Sequence, residues 1–242
     1  MTSKPGLFET FLCVRRRAPF LDFHLMRLKG SARRLHIPVE AGLAAEVSRR
    51  VEALGSHPHR GRLEVSSAGE VRLTFAGYDA RLIFRKTPIA EKLISLAAPR
   101  GYPGAWAGMK TFPRMLLDQA HAEAGRRGAA DAVLARRWVY ETAQGNLFWL
   151  RGDVLHTPAV GLGCLPGILR GWVIGEARRL GVKVREGRFS PSSLTGAESI
   201  FRTNALIGIR WVREIAGLGR WRRPVHPLVM ELYRRWCDKI RS

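Results

Sequence analysis

Lysine is scarce in this chain. Of its 41 basic residues, seven are lysine and the rest arginine. One of the few, Lys110, stands in GMKTFPR (108–114), after a Gly/Pro-rich aromatic stretch and just before a helical pattern. A lysine in such a place is ordinarily a surface charge, but a buried amine loses its proton readily and condenses with an aldehyde. Arg27 in HLMRL (24–28) lies beside an apolar stripe rather than opposite it. It reads either as a rim arginine in an ion pair or as a fork for a phosphate. In LPGILRG (165–171), Pro-Gly followed by a helical pattern leaves backbone N–H groups unpaired, which suits an anion. Glu141 interrupts the apolar, aromatic run VYETAQGNLFWL (139–150). A carboxylate there is usually a cap or half of a pair, but it can also hold a protonated heteroaromatic nitrogen. An aldehyde-binding amine, a phosphate fork with a helix end, and a carboxylate for a ring nitrogen together describe pyridoxal phosphate.

These residues need elements to carry them. LFETFLCV (7–14) reads as a strand, followed by a turn at RRRAP. A helix over 23–36, capped by Asp22, aligns Leu25, Leu28, Ala32 and Leu35 on one stripe and His24, Arg27 and Ser31 on the adjacent face. A second helix fits 40–54 and ends at Gly55, a hairpin turns at Ser66-Ser67-Ala68-Gly69, and YDARLIFRK (78–86) reads as another strand. A strand at 92–98 leads into the connecting segment PRGYPGAWAG. Beyond it the pattern gives a helix at 114–127, a strand at DAVLAR and a hairpin in NLFWLRGDVLHTP. A helix follows Pro166-Gly167, then strands in VKVRE and SIFRTNALIGIRWV, and a closing amphipathic helix at 226–240. The composition shifts near 88–91, which predicts a small N-terminal α+β domain (1–88) and a larger C-terminal mixed α/β domain (89–242).

With 46% hydrophobic and 25% charged residues, the 242-residue chain has the composition of a folded protein. The net charge of +21 suits nucleic acid, anionic membranes or phosphorylated ligands. The charge is scattered, however, with its densest runs at 15–17 and 220–223 and no basic tail. Solvated arginine faces and anionic small-molecule ligands account for it better than a nucleic-acid stripe. Cys13, Cys164 and Cys237 are far apart and form no CxxC, so neither a zinc site nor a disulfide framework is expected. No metal is expected. Without an apolar leader or a membrane-length apolar run, a cytoplasmic protein is expected.

The order FET…HLMRL…K…E…NLFW…TP…LPGILR…TNAL resembles the fold type IV, or class IV, pyridoxal-phosphate enzymes: branched-chain aminotransferases, D-amino acid aminotransferases and aminodeoxychorismate lyases. The resemblance runs along nearly the whole chain. It implies that Lys110 is the Schiff-base lysine, Arg27 the phosphate arginine and Glu141 the partner of the pyridine nitrogen. Ile168 and Leu169 would offer backbone N–H groups to the phosphate, and the turn at Asn204-Ala205 would close the other side of that pocket. The aminotransferases commonly carry an Asn-Tyr pair shortly after the lysine. Here Pro113-Arg114 stands there, closer to the Asn-Arg of some lyases, and ETAQGNLFW and TNAL also resemble the lyase versions. FET places Thr10 where lyases have a threonine thought to help protonate the substrate. Arg114, or another arginine, is the candidate for a substrate carboxylate.

The expected activity is therefore conversion of aminodeoxychorismate, a small-molecule amino substrate, to 4-aminobenzoate and pyruvate in a homodimer. The alternatives are a class IV aminotransferase on D-amino or branched-chain amino acids, and a non-catalytic basic descendant that binds nucleic acid. Family members carry a further strand and a DRG…YGDG segment before FET. This chain begins after that point, which predicts an altered small-domain sheet.

Overall fold

In chain order the elements are β1 (Gly6–Cys13), α1 (Leu21–Leu35), α2 (Leu43–Glu52), β2 (His59–Val65), β3 (Val71–Gly77), β4 (Ala90–Ala97), β5 (Thr111–Phe112) and α3 (Met115–Arg126). They continue with β6 (Asp131–Ala135), β7 (Val139–Thr142), β8 (Asn146–Arg151), β9 (Val154–Pro158), α4 (Ile168–Arg179) and β10 (Lys183–Gly187). The last are β11 (Ser199–Asn204), β12 (Gly208–Ala216), β13 (Gly219–Arg220) and α5 (Pro227–Arg241). The structure, a computed structural model, describes residues 4–221 and 225–242, so Arg222 and Arg223 of the basic run at 220–223 lie outside the described residues.

The chain divides into two units. The first is Met1–Phe84 with Met109–Pro113 and Cys237–Ser242, and the second is Arg85–Gly108 with Arg114–Trp236. The sequence reading put a single boundary after residue 88. The first unit instead ends at Phe84 and takes back two later segments, one of which contains Lys110.

The first unit is built on a four-stranded antiparallel sheet in the order β3-β2-β1-β5. Strand β1 is buried along almost its whole length. Helix α1 turns the expected stripe inward, with Leu25, Leu28, Ala32 and Leu35 all buried. Burying each of the three leucines contributes about 1.5–3 kcal/mol. Asp22 does not cap this helix. Phe20 occupies the N-cap position in a left-handed conformation without a side-chain hydrogen bond, and Asp22 lies in the first turn. There its charge still complements the helix dipole. The expected strand in YDARLIFRK is also replaced. The Asp79 carboxylate accepts the Arg81 N–H at 2.9 Å and winds Ala80–Leu82 into a 3₁₀ turn. A local side-chain acceptor here outcompetes the ladder of a strand.

The second unit holds a nine-stranded mixed sheet. Its main path is β10-β9-β8-β11-β12-β4-β6-β7, with β13 beside β12. Consecutive residues on its central strands face different apolar clusters. Leu93 and Val133 pack with Leu147, Trp149, Ile200 and Val212, while Ile94, Ala132 and Leu134 pack with Ala120 and Ala124 of α3. A strand covered on both faces reads as a continuous apolar run, as AVLA (132–135) of β6 does. Among the described residues, no helix is long and apolar enough to cross a membrane.

Candidate functional site

In the first unit, β1 sends successive side chains to opposite faces, so Phe8 and Thr10 share one face and Glu9 points to the other. Glu9 is only 1% exposed. Its Oε1 accepts from Arg27 Nε at 2.8 Å, and its Oε2 accepts from Arg27 Nη2 at 2.5 Å and from His24 Nδ1 at 2.7 Å. Burial pushes the Glu9 carboxyl up, but the Arg27 charge and the bonds from His24 and Arg27 outweigh it and hold the group down at about 2. Burial also pushes His24 below its ordinary value, against the pull of Glu9. A carboxylate only accepts, so the proton of the neutral ring sits on Nδ1. The sequence placed His24 and Arg27 on one face and missed Glu9. The signal was present, as a lone charge in the otherwise apolar strand GLFETFLC.

Lys110 joins this unit through backbone pairing. The Phe8 N–H donates to the Lys110 carbonyl at 2.9 Å, and β5 continues the pairing with Leu7 opposite Thr111 and Gly6 opposite Phe112. Gly6 leaves room for the Phe112 ring, since a Cβ there would stand 2.3 Å from Phe112 Cζ. Lys110 Nζ lies over the Phe8 ring, 4.4 Å from its centroid. The face that carries Phe8 and Thr10 therefore also carries the lysine amine.

In the second unit, Glu141 is buried on β7. Its Oε1 accepts from Tyr102 Oη at 3.0 Å and its Oε2 from the Leu165 N–H at 3.1 Å. Burial and the Glu141 charge hold the Tyr102 phenol far above its ordinary range, so Tyr102 is a permanent donor. The carbonyl of the same Leu165 accepts from Asn146 Nδ2 at 2.9 Å. Glu141 and Asn146 thus grip the two backbone groups of one residue, Leu165, three residues ahead of Ile168, the first residue of α4. That helix starts behind Gly167 with no side-chain cap, which leaves the N–H groups of Ile168 and Leu169 to a ligand. Thr203 stands directly opposite Asn146 in the β8–β11 register and so shares its face, and Asn146 Oδ1 lies against Gly167. The Thr203 hydroxyl is fully buried and has no hydrogen-bond partner. Asn204 Oδ1 accepts the N–H groups of Leu206 and Ile207, both at 2.9 Å, and its Nδ2 donates to the Gln144 carbonyl at 2.8 Å. The Asn204-Ala205 turn is thereby pinned by its own side chain. Arg114, expected to meet a substrate carboxylate, instead bonds Asp118 Oδ1 at 2.9 Å and the Ala143 carbonyl at 2.8 Å, bracing the start of α3.

The family model described as amino-transferase class IV matches residues 6–215. The chain belongs to the class IV aminotransferase family. It is 23% identical over 220 residues to the aminodeoxychorismate lyase of Bacillus subtilis, covering 84% of this chain and 75% of that one. It is 34% identical over 125 residues to the branched-chain-amino-acid aminotransferase of Escherichia coli. That match covers 50% of this chain and only 40% of the aminotransferase's length. The structure of a Legionella pneumophila protein assigned as 4-amino-4-deoxychorismate lyase superposes with a TM-score of 0.81 at 25% identity, covering 98% of this chain and 91% of the other.

Class IV aminotransferases work with pyridoxal phosphate, and the residues of this chain fit that group. The first unit offers an amine and an arginine already oriented by a buried carboxylate. The second offers a buried carboxylate, an uncapped helix start and, on the sheet face beside that start, the orphaned hydroxyl of Thr203. Glu9, Tyr102, Asn146 and Thr203 were not singled out from the sequence. Each takes its place in the site from neighbours distant in the chain.

Proposed function

We propose that this class IV protein is a pyridoxal-phosphate-dependent lyase that converts 4-amino-4-deoxychorismate to 4-aminobenzoate and pyruvate. The observation that carries the reading is Thr10 on the same face of β1 as Phe8, the ring that holds the Lys110 amine. A lyase must return a proton to the methylene carbon of its leaving enolpyruvyl group, and a hydroxyl on the lysine's own face suits that task.

Lys110 would hold the cofactor's aldehyde carbon, Arg27 with the N–H groups of Ile168 and Leu169 and the Asn204-Ala205 turn its phosphate, and Glu141 its ring nitrogen. When bound, the group is an electron sink for the carbon that bears the substrate amine. Lys110 takes the proton from that carbon. Glu141 keeps a proton on the ring nitrogen, an ion pair strengthened by its burial. Lys110 and Thr10 then deliver a proton to the methylene carbon as pyruvate leaves, and aromatisation of the ring makes the step downhill.

A second reading, an aminotransferase acting on branched-chain or D-amino acids, is favoured by the 34% identity to the Escherichia coli aminotransferase. The two separate in one assay. Pyruvate released from aminodeoxychorismate without added keto acid, detected through lactate dehydrogenase, is expected. Glutamate formed from 2-oxoglutarate, with no pyruvate, overturns the lyase. In both cases Lys110→Ala should abolish borohydride-fixed labelling of the protein by pyridoxal phosphate. Labelling that survives removes Lys110 from its role.

A further inference from the structure

We propose that Asp131 is a positioning residue for the phosphate end of the cofactor, acting through the Asn204-Ala205 turn rather than on the ligand. The inference rests on the reading of that turn as one wall of the phosphate site. Asp131 opens β6 and is fully buried. Its Oδ1 accepts the Ala132 N–H at 2.9 Å. Its Oδ2 accepts from the Gln144 N–H at 3.1 Å and from Arg202 Nη1 at 2.9 Å. The Gln144 carbonyl in turn accepts from Asn204 Nδ2 at 2.8 Å. Arg202 lies two residues before Asn204 on β11. One carboxylate oxygen therefore holds the turn from two sides, through the backbone of Gln144 and through the strand that leads into Asn204. Asp131, Gln144, Asn204 and Arg202 form a closed ring.

The ring depends on charge. Burial pushes the Asp131 carboxyl up, but its donors and the Arg202 charge outweigh that and hold it below its ordinary value, so it is ionised at neutral pH. Arg202 is buried too, and its Nε donates to Glu91 Oε2 at 2.6 Å. A guanidinium bonded to a carboxylate on either side cannot follow the turn if the turn shifts. An amide at position 131 is no substitute. Both oxygens of Asp131 face N–H donors, so whichever way an asparagine turned, its NH₂ would meet one of them. Glu141 is held separately, by Tyr102 and the Leu165 N–H. Loss of the Asp131 charge therefore bears first on the phosphate end.

The test uses the full chain stripped of cofactor, with folding checked first by circular dichroism. Two probes, pyridoxal phosphate and pyridoxal, differ only in the phosphate, and each is titrated by absorbance. In Asp131→Asn, pyridoxal phosphate affinity should fall by about tenfold to a hundredfold, the worth of a charge-assisted hydrogen bond. Pyridoxal affinity should stay the same. Asn204→Ala breaks the ring at another point and should give the same pattern, and the two losses should combine to less than their sum. Should Asp131→Asn not fold, Arg202→Gln removes the charged donor from the same oxygen and is judged by the same two probes. An equal fall for both probes is what a merely structural role gives, and it overturns the assignment while leaving the cofactor reading intact. Unchanged pyridoxal phosphate affinity, or losses that add in full, overturns it as well. A wild-type protein that binds the two probes equally overturns the phosphate site itself, and this assignment with it.

Discussion

Glu9 holds Arg27 side-on, with Nε and Nη2 each on a different carboxylate oxygen at 2.8 and 2.5 Å. His24 adds a third bond to the same buried group. These bonds fix the position and plane of the guanidinium. An arginine held by two bonds loses less rotamer freedom on binding than one that swings in solvent.

The arrangement makes the fold acid-sensitive in two steps. Unfolded, the Glu9 carboxyl takes its proton near 4.5, and in the native protein only near 2. The unfolded state therefore binds more protons in that window, and stability present above 4.5 is lost as pH falls toward 2, by roughly 3 kcal/mol in all. His24 is also held below its ordinary 6.5, so protonation opposes folding once pH drops under that value. Urea midpoints of the wild type should decline below pH 6.5 and more steeply below 4.5. Glu9→Gln should be less stable at pH 7, because Arg27 loses its counter-charge, and its midpoint should be flatter below pH 4.5. A variant that falls as steeply as the wild type between pH 4.5 and 3.5 contradicts the role of this carboxylate.

The parts of the structure visible in the sequence are those written in local periodicity. The stripe Leu25, Leu28, Ala32 and Leu35 is inward as its spacing requires, and Pro166-Gly167 does precede a helix. What escaped depends on pairing between distant segments. Lys110 joins the first unit because Phe8 and Thr111 belong to neighbouring strands separated by about a hundred residues of chain, and no window around Lys110 contains that information. Glu9 and Thr203 were passed over for a similar reason. A charge or hydroxyl inside a strand acquires meaning only from what lies opposite, and here that is α1 for Glu9 and Asn146 for Thr203. Arg114 is local by contrast: a helix-start arginine has nearby acceptors, and Asp118, one turn on, bonds it.

Glu141 and Tyr102 should separate cleanly in kinetics. Both oxygens of Glu141 accept hydrogen bonds, one from Tyr102 and one from the Leu165 backbone. Glu141→Gln keeps the size of the side chain but removes the charge that would retain a proton on the cofactor ring. Proton abstraction from the substrate carbon, followed as deuterium exchange by NMR, should slow by ~10²-fold or more, while cofactor affinity changes little. Tyr102→Phe removes a single neutral donor and should slow the exchange by less than about tenfold. Equal rates in wild type and Glu141→Gln contradict the role given to this carboxylate.

Gly167 is required for space rather than for an unusual backbone angle. Its φ of −61° and ψ of 138° are open to any residue, yet a Cβ there would lie 2.0 Å from Asn146 Oδ1. Asn146 cannot retreat without weakening its bond to the Leu165 carbonyl, so Gly167→Ala should cost about 1–3 kcal/mol of stability. It should also displace the N–H groups of Ile168 and Leu169, and weaken pyridoxal phosphate binding by about tenfold. Asn146→Ala removes both the bond and the obstacle. The double variant should therefore be no less stable than Asn146→Ala alone, a coupling that thermal unfolding of the four proteins in the cycle measures directly. Losses that simply add would show that the clash is relieved elsewhere, and that Asn146 does not set the start of α4.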